Sequence, residues 1–408
     1  MKRGLLVPGL FIHRSFCMLG LLLMVLVVQP ARGGDPFADL QVPKAGVASL
    51  SVDAGSSRGS SFWKNEILSQ FSFSSAVDSS DRPYHRHSYG FEILKKFANA
   101  VSTTSSFNLQ TRLVFRRNFV SVMNDMEGEL RNQVFLEYHN FYVDLYNALD
   151  TWMPSDRRAE NLGRFNFRFG RFYLPFGLNL QTDTHATVLQ LSNDRNFGFE
   201  RDWYAGFWGA LNPNLNYDLY YLLGSGYEMT DKGQKGLLGA RVSLANRYLY
   251  DHGLEGGISL LIGERISKHA VMRSHNVMLH AERGKVVDTT RIGIDGRYGM
   301  AVPGGRMTLT GEFSCGRDEQ DDLFSQLYQL DFLRRDRRFG WSTQYRRFWQ
   351  ELGQREVDAS MLGELTWYMH NDIGNANLAW IKLNVEKRLA VQSGSEDTLT
   401  TLQYYRYW

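Results

Sequence analysis

Along most of the chain, apolar and polar residues alternate with a period of two. At that spacing the side chains of a β-strand point to opposite faces. Between residues 106 and 117, Phe107, Leu109, Leu113 and Phe115 share one face, and Asn108, Gln110, Arg112 and Arg116 share the other. The pattern returns with Phe165, Phe167 and Phe169 against Arg164, Asn166 and Arg168. It returns again with Thr290, Ile292, Ile294 and Tyr298 against Arg291, Asp295 and Arg297. Met307, Leu309 and Phe313 oppose Arg306, Thr308, Thr310 and Glu312, and Ile381, Leu383 and Val385 oppose Lys382, Asn384 and Glu386. Phenylalanines alternating with arginines make a poor helix face and a good strand between lipid and water.

Such segments predict strands over 67–76, 85–97, 106–117, 131–146, 162–173, 202–211, 215–224, 236–246, 255–264, 288–300, 305–315, 322–333, 339–350, 357–369, 377–388 and 398–408. The expected fold is all-β, a transmembrane antiparallel β-barrel of about 16 strands, an even number as bacterial barrels have. Aromatic residues gather at strand ends (Trp203-Tyr204, Trp341, Trp349, Trp367-Tyr368, Tyr404-Tyr405), where membrane interfaces place them. An even count puts both barrel ends in the periplasm. The turns near 212–214, 302–305, 334–338 and 371–375 then fall on that side, and the segments 174–201, 265–287, 316–321 and 389–397 become outer loops. Residues 147–161 are long for a periplasmic turn. Residues 275–283 resemble a strand, but parity leaves them in a loop. The chain ends on TTLQYYRYW, with Leu402, Tyr404, Arg406 and Trp408 on one face. Tyr404 and Trp408 are the candidate signal for the barrel-assembly machinery.

The first 33 residues read as a cleaved signal peptide. Lys2, Arg3 and Arg14 form a basic start, Cys17 to Val28 an apolar run, and Ala31-Arg32-Gly33 a small-x-small cleavage site. Cys17 heads the apolar run rather than following it, which argues against a lipoprotein. Residues 34–65, polar and rich in Ser and Gly, read as a periplasmic extension ahead of a barrel over 66–408. Losing Lys2, Arg3, Arg14 and Arg32 turns the formal charge of +3 into about −1, so the sequence pI of 8.7 misleads and nucleic acid is not an expected partner. After the signal no apolar run reaches the length of a transmembrane helix. The mature chain keeps only Cys315, so it has no internal disulfide, and it has no C-x-x-C-H for covalent haem.

Gly170-Arg171-Phe172-Tyr173-Leu174-Pro175-Phe176-Gly177 resembles the strand ending G-x-F-x-x-P-F-G of the phosphate-selective porin (porin O and P) family of outer-membrane β-barrels. Tyr142-Val143-Asp144-Leu145, Ile292-Gly293-Ile294-Asp295 and Gly311-Glu312-Phe313 are similar to further strands of that family. The resemblance implies a 16-strand barrel, often a homotrimer, with the loop after the P-F-G motif folded into the pore. The family's phosphate-selective members line the pore with cations. Here Arg112, Arg116, Arg164, Arg168, Arg241, Arg291, Arg297, Arg306, Arg346 and Lys382 face a set of carboxylates: Asp295, Glu312, Asp331, Asp358, Glu364 and Glu386. The arginines are candidates for an anion filter, or for wall braces paired with those carboxylates. Asp183, Asp194, Arg195 and Arg201 are candidates for the constriction loop. His85-x-His87 has same-face spacing, but no cluster of further ligands accompanies it, and no metal or other cofactor is expected. No G-x-S-x-G, H-E-x-x-H or P-loop motif occurs, and the chain is not expected to be an enzyme. The leading expectation is an outer-membrane porin passing small hydrophilic or anionic solutes. The alternative is a structural barrel sheathing a partner such as a multihaem cytochrome in an electron conduit.

Overall fold

The computed structural model describes residues 67–79, 83–98, 103–117, 132–149, 163–178, 189, 201–212, 214–226, 229, 231–244, 253–267, 269–271, 276–278, 285–352, 354–372, 377–390 and 398–408. The proposed signal peptide and the extension over 34–65 lie outside them. The strands are β1 (Ile67–Asp78), β2 (Pro83–Ala98), β3 (Thr103–Arg117), β4 (Asn132–Leu145), β5 (Asn166–Tyr173), β6 (Arg201–Asn212), β7 (Leu215–Leu222), β8 (Leu237–Leu244) and β9 (Gly253–Ile266). They continue as β10 (His269–Val271), β11 (Asn276–Met278), β12 (Val286–Val302), β13 (Gly305–Asp318), β14 (Asp321–Arg334), β15 (Phe339–Leu352), β16 (Gln354–Asp372), β17 (Asn377–Ala390) and β18 (Thr398–Tyr407).

Sixteen of these close into one antiparallel barrel, each strand beside its neighbour in sequence, with β9 next to β12 and β1 next to β18. The seam is held by reciprocal backbone hydrogen bonds between Ser69 and Trp408, 2.7 and 3.0 Å long. Closure removes every free sheet edge along the seam, as a bilayer without water demands. Of the segment 275–283, the described residues 276–278 do not add to the wall: β11 pairs only with β10, in a separate two-stranded sheet.

The alternation seen in the sequence becomes two surfaces. Phe91, Leu113, Leu136, Leu219, Leu238, Ile258, Leu260, Ile262, Ile292, Leu309, Met361, Leu365, Leu383 and Leu402 are exposed on the outside. Gln70, Ser72, Asn108, Gln110, Ser259, Thr310, Ser325, Gln344, Asn384 and Gln403, on the opposite parity, are buried on the inside. An apolar exterior on a closed barrel with a polar interior is stable in lipid and unstable in water. Tyr404 and Trp408 stand on the outer face with Leu402, and the Arg406 guanidinium lies 5.8 Å from the Trp408 ring.

Two local features depart from the expected pattern. Outer segment 316–321 is not a loop: β13 runs through Asp318 and β14 restarts at Asp321, around Glu319 in the left-handed region at φ 51°. A register shift between Gln110 and Thr111 leaves His139 as an extra residue in β4. Leu136 and Tyr138 therefore face outward before it and Phe141 faces outward after it.

Candidate functional site

The residues that follow β5 turn into the barrel. Leu174 and Phe176 are fully buried and Leu178 nearly so. Within β5, Gly170 at φ 124° lies against the Phe141 carbonyl of β4, where a β-carbon would not fit. Tyr220 on β7 donates its hydroxyl to the Pro175 carbonyl at 3.1 Å. The Gly177 amide donates to Ser259 Oγ on β9 at 3.0 Å. Phe176 fills the space left by Gly293 on β12, where an added β-carbon would stand 2.8 Å from its ring. Gly177, at φ 66°, lies so close to β13 that its own β-carbon would meet the Glu312 carboxylate at 3.1 Å. The P-F-G segment is thus fixed on the inner wall from β7 to β13. Asp183, Asp194 and Arg195 lie outside the described residues, so the rest of the expected constriction loop has no placement.

Arg201 is placed, but as the first residue of β6. It is buried, with its guanidinium 3.9 Å from the Tyr173 ring centroid. It hydrogen-bonds the Tyr173 hydroxyl, Asn140 Oδ1 at 3.2 Å and His139 Nε2 at 2.6 Å. Arg171 donates to the carbonyls of Tyr138 and, at 2.8 Å, His139. Strand β5 pairs β4 only from Phe141 to Leu145, so these two arginines cap the stretch of β4 that β5 does not reach.

Among the sequence-predicted pore residues, Arg168 forms a bidentate pair with Asp144, at 2.7 Å from Nε and 2.9 Å from the terminal nitrogen. Its guanidinium also lies 3.8 Å from the Phe172 ring centroid and 4.6 Å from that of Tyr142. Arg112 is buried and binds Gln70 Oε1, at 3.0 Å from Nε. Arg291 and Arg265, both fully buried, share Asp318 at 2.7 and 2.9 Å. Arg297 binds Glu255 and Arg241 binds Asp295, each at 2.5 Å. Arg346 donates to Ser360 Oγ at 2.9 Å, with Glu386 at 3.8 Å, and Lys382 meets Glu364 at 2.9 Å. Arg306, together with Arg297, Thr308 and Asp331, lines a cavity of about 290 Å³ near the turns that join the strands at the terminal end.

Two members of the set differ. Arg164 stands in the turn ahead of β5 and is exposed; its carbonyl accepts the Tyr217 hydroxyl at 2.7 Å. The alternation that grouped it with Arg168 continues past the strand's true start. Arg116 lies in β3 with its backbone opposite Arg86, and its side chain is outside the described set. Sequence reasoning missed Arg265 and Asp318 because they lie just beyond the expected strand ends, and missed Asp144 as the partner of Arg168 because only the β4–β5 register brings the two together. His85 and His87 face outward: His85 Nδ1 pairs Ser75 Oγ at 3.0 Å, and His87 stacks on Phe115 with centroids 4.9 Å apart. Among the described residues no cluster of three or more potential metal ligands occurs.

No family model and no curated protein matches the sequence. Solved structures do match by shape. Pseudomonas putida OprB superposes with a TM-score of 0.56 at 10% identity, over 85% of this chain and 95% of that one. The anion-selective porin from Comamonas acidovorans gives 0.51 at 10% identity, over 84% and 98%. The fold is that of an outer-membrane porin barrel. At this identity the likeness speaks for the fold alone.

Proposed function

We propose that the protein is an outer-membrane channel through which small hydrophilic solutes diffuse passively, with weak charge selectivity. The observation that carries this reading is the P-F-G segment folded onto the inner wall of a closed barrel, apolar outside and polar inside. A barrel of this strand number leaves room for an aqueous path, and a segment folded inward narrows that path. Selectivity follows from the charges beside it. Arg168, Arg241 and Arg297 are each held by a carboxylate and Arg291 shares Asp318 with Arg265, so part of the positive field that would favour anions is cancelled. One neighbour by shape is named an anion-selective porin. The pairing here supports a milder preference, set by how much of Arg168 its partner Asp144 leaves uncancelled.

Liposome swelling tests the reading. Vesicles carrying the purified barrel are expected to admit small neutral sugars at rates that fall steeply with sugar size. Vesicles that stay impermeable while the barrel is folded would overturn it and favour the sheath. Haem absorbance co-purifying with the barrel would point the same way.

A further inference from the structure

We propose that the turn between β14 and β15 is a binding site for anionic phospholipid headgroups at the membrane surface. It carries Arg334, Arg335, Arg337 and Arg338 with a single acid, Asp336. Asp336 is occupied within the turn: it pairs with Arg334 and accepts the Arg338 amide at 3.0 Å. Its carboxyl is held at about 2, below the usual carboxylate range, chiefly by the Arg334 side chain and then by that amide. The local charge is therefore strongly positive. The short connections at this end of the barrel after β2, β6 and β12 carry no charged residue in sequence between their strands, and the one after β16 follows a single acid, Asp372.

The turn does not need these arginines for its shape. Arg337 sits at φ 57°, a left-handed conformation that glycine or asparagine adopts with less strain. An arginine kept in such a place at a cost in backbone energy points to a use for its side chain. The backbone is held firmly. The Arg335 amide donates to Gly304 O at 2.9 Å, the Arg337 amide to Arg334 O at 2.8 Å, and the Arg338 carbonyl accepts the Tyr368 amide at 2.9 Å.

Position names the ligand. Immediately inside the turn, on the lipid face, Phe332 stacks on Trp341 with centroids 6.0 Å apart. Trp367, paired with Phe339, is 56% exposed on the same face. Aromatic residues of this kind mark the bilayer interface, so the arginines stand at headgroup depth. Guanidinium groups match phosphate oxygens in charge and in forked geometry. The expected ligand is the phosphate of an anionic phospholipid in the leaflet on the turn's side. That is the periplasmic leaflet, on the parity of the strands.

The test is native mass spectrometry of the full mature barrel in detergent, titrated with dimyristoyl phosphatidylglycerol or with phosphatidylcholine. The wild type should retain phosphatidylglycerol preferentially. The triple substitution R335Q/R337Q/R338Q should weaken that retention roughly tenfold or more, as the loss of three cations near an anionic surface implies. Arg337→Asn alone should weaken lipid retention while raising the unfolding temperature, since it relieves strain; a purely structural arginine would lower it. Unboiled gel mobility checks that each variant is folded, and sugar permeation should be unchanged, which separates this proposal from the channel reading. Equal retention of the two lipids by the wild type, or unchanged retention by the triple variant, would overturn it. So would binding of carboxylate-bearing peptidoglycan fragments to these arginines in place of the lipid.

Discussion

Asp318 gives the sharpest test of how the inner wall is held. It accepts from Arg265 at 2.9 Å and Arg291 at 2.7 Å, and Thr289 Oγ1 donates to it at 2.7 Å. Both guanidiniums and the carboxylate are fully buried. Asp318→Asn keeps the shape and removes the charge, leaving two buried cations without the anion they share. Breaking a buried ion pair from one side costs about 3–5 kcal/mol, because the remaining charge is desolvated and uncompensated. Arg317 and Asp322, on the neighbouring strands, supply the internal control. They pair at 3.0 Å but are 60% and 36% exposed, so Asp322→Asn should cost less than about 1 kcal/mol. The assay is urea unfolding of the refolded barrel, followed by mobility on unboiled gels. Adding Arg291→Gln to Asp318→Asn should recover part of the loss, since one orphaned cation goes with it. If the two single asparagine variants fall within about 1 kcal/mol of each other, the buried cluster is not the brace described here.

Other outcomes follow from the same geometry. Asp144→Asn should unmask Arg168 and shift the reversal potential toward anions, whereas Arg168→Gln should shift it toward cations; both shifts should shrink at 1 M salt, where screening falls to roughly 3 Å. Arg164→Gln, in an exposed turn, should move selectivity less than Arg168→Gln; an equal or larger shift would show that the turn lies in the ion path. Phe176→Ala empties the socket at Gly293 and should cost about 3–5 kcal/mol while making the open-channel current noisier, with unchanged noise counting against an anchored segment. Deleting Trp408 removes both backbone bonds to Ser69 and should lower the yield of heat-modifiable barrel in cells; normal assembly would show that the terminal residue is dispensable.

The strands were legible because lipid on one face and water on the other impose a period of two. That signal fails wherever the lipid stops. Arg317, Asp318, Glu319, Gln320 and Asp321 are all polar, so the outer end of the β13–β14 hairpin looked like a loop although its ladder continues. The reverse error placed Arg164 on the wall: Phe165 extends the apolar alternation past the true start of β5. The pairing of charges was less visible still. Arg265 and Asp318 are 53 residues apart, and only the register of β9, β12 and β13 brings them together. The inward segment could be expected from the P-F-G motif, but its socket could not. Gly293 in a strand reads as a weak point until Phe176 is seen in the space it leaves.

Planar-bilayer recording tests the central claim most directly. The purified, folded barrel should insert to give discrete, long-lived steps of current, and a salt gradient should produce a small reversal potential, consistent with arginines held by carboxylates. A folded barrel that gives no conductance steps would contradict the channel, and a strongly anion-selective one would contradict the account of its paired inner wall.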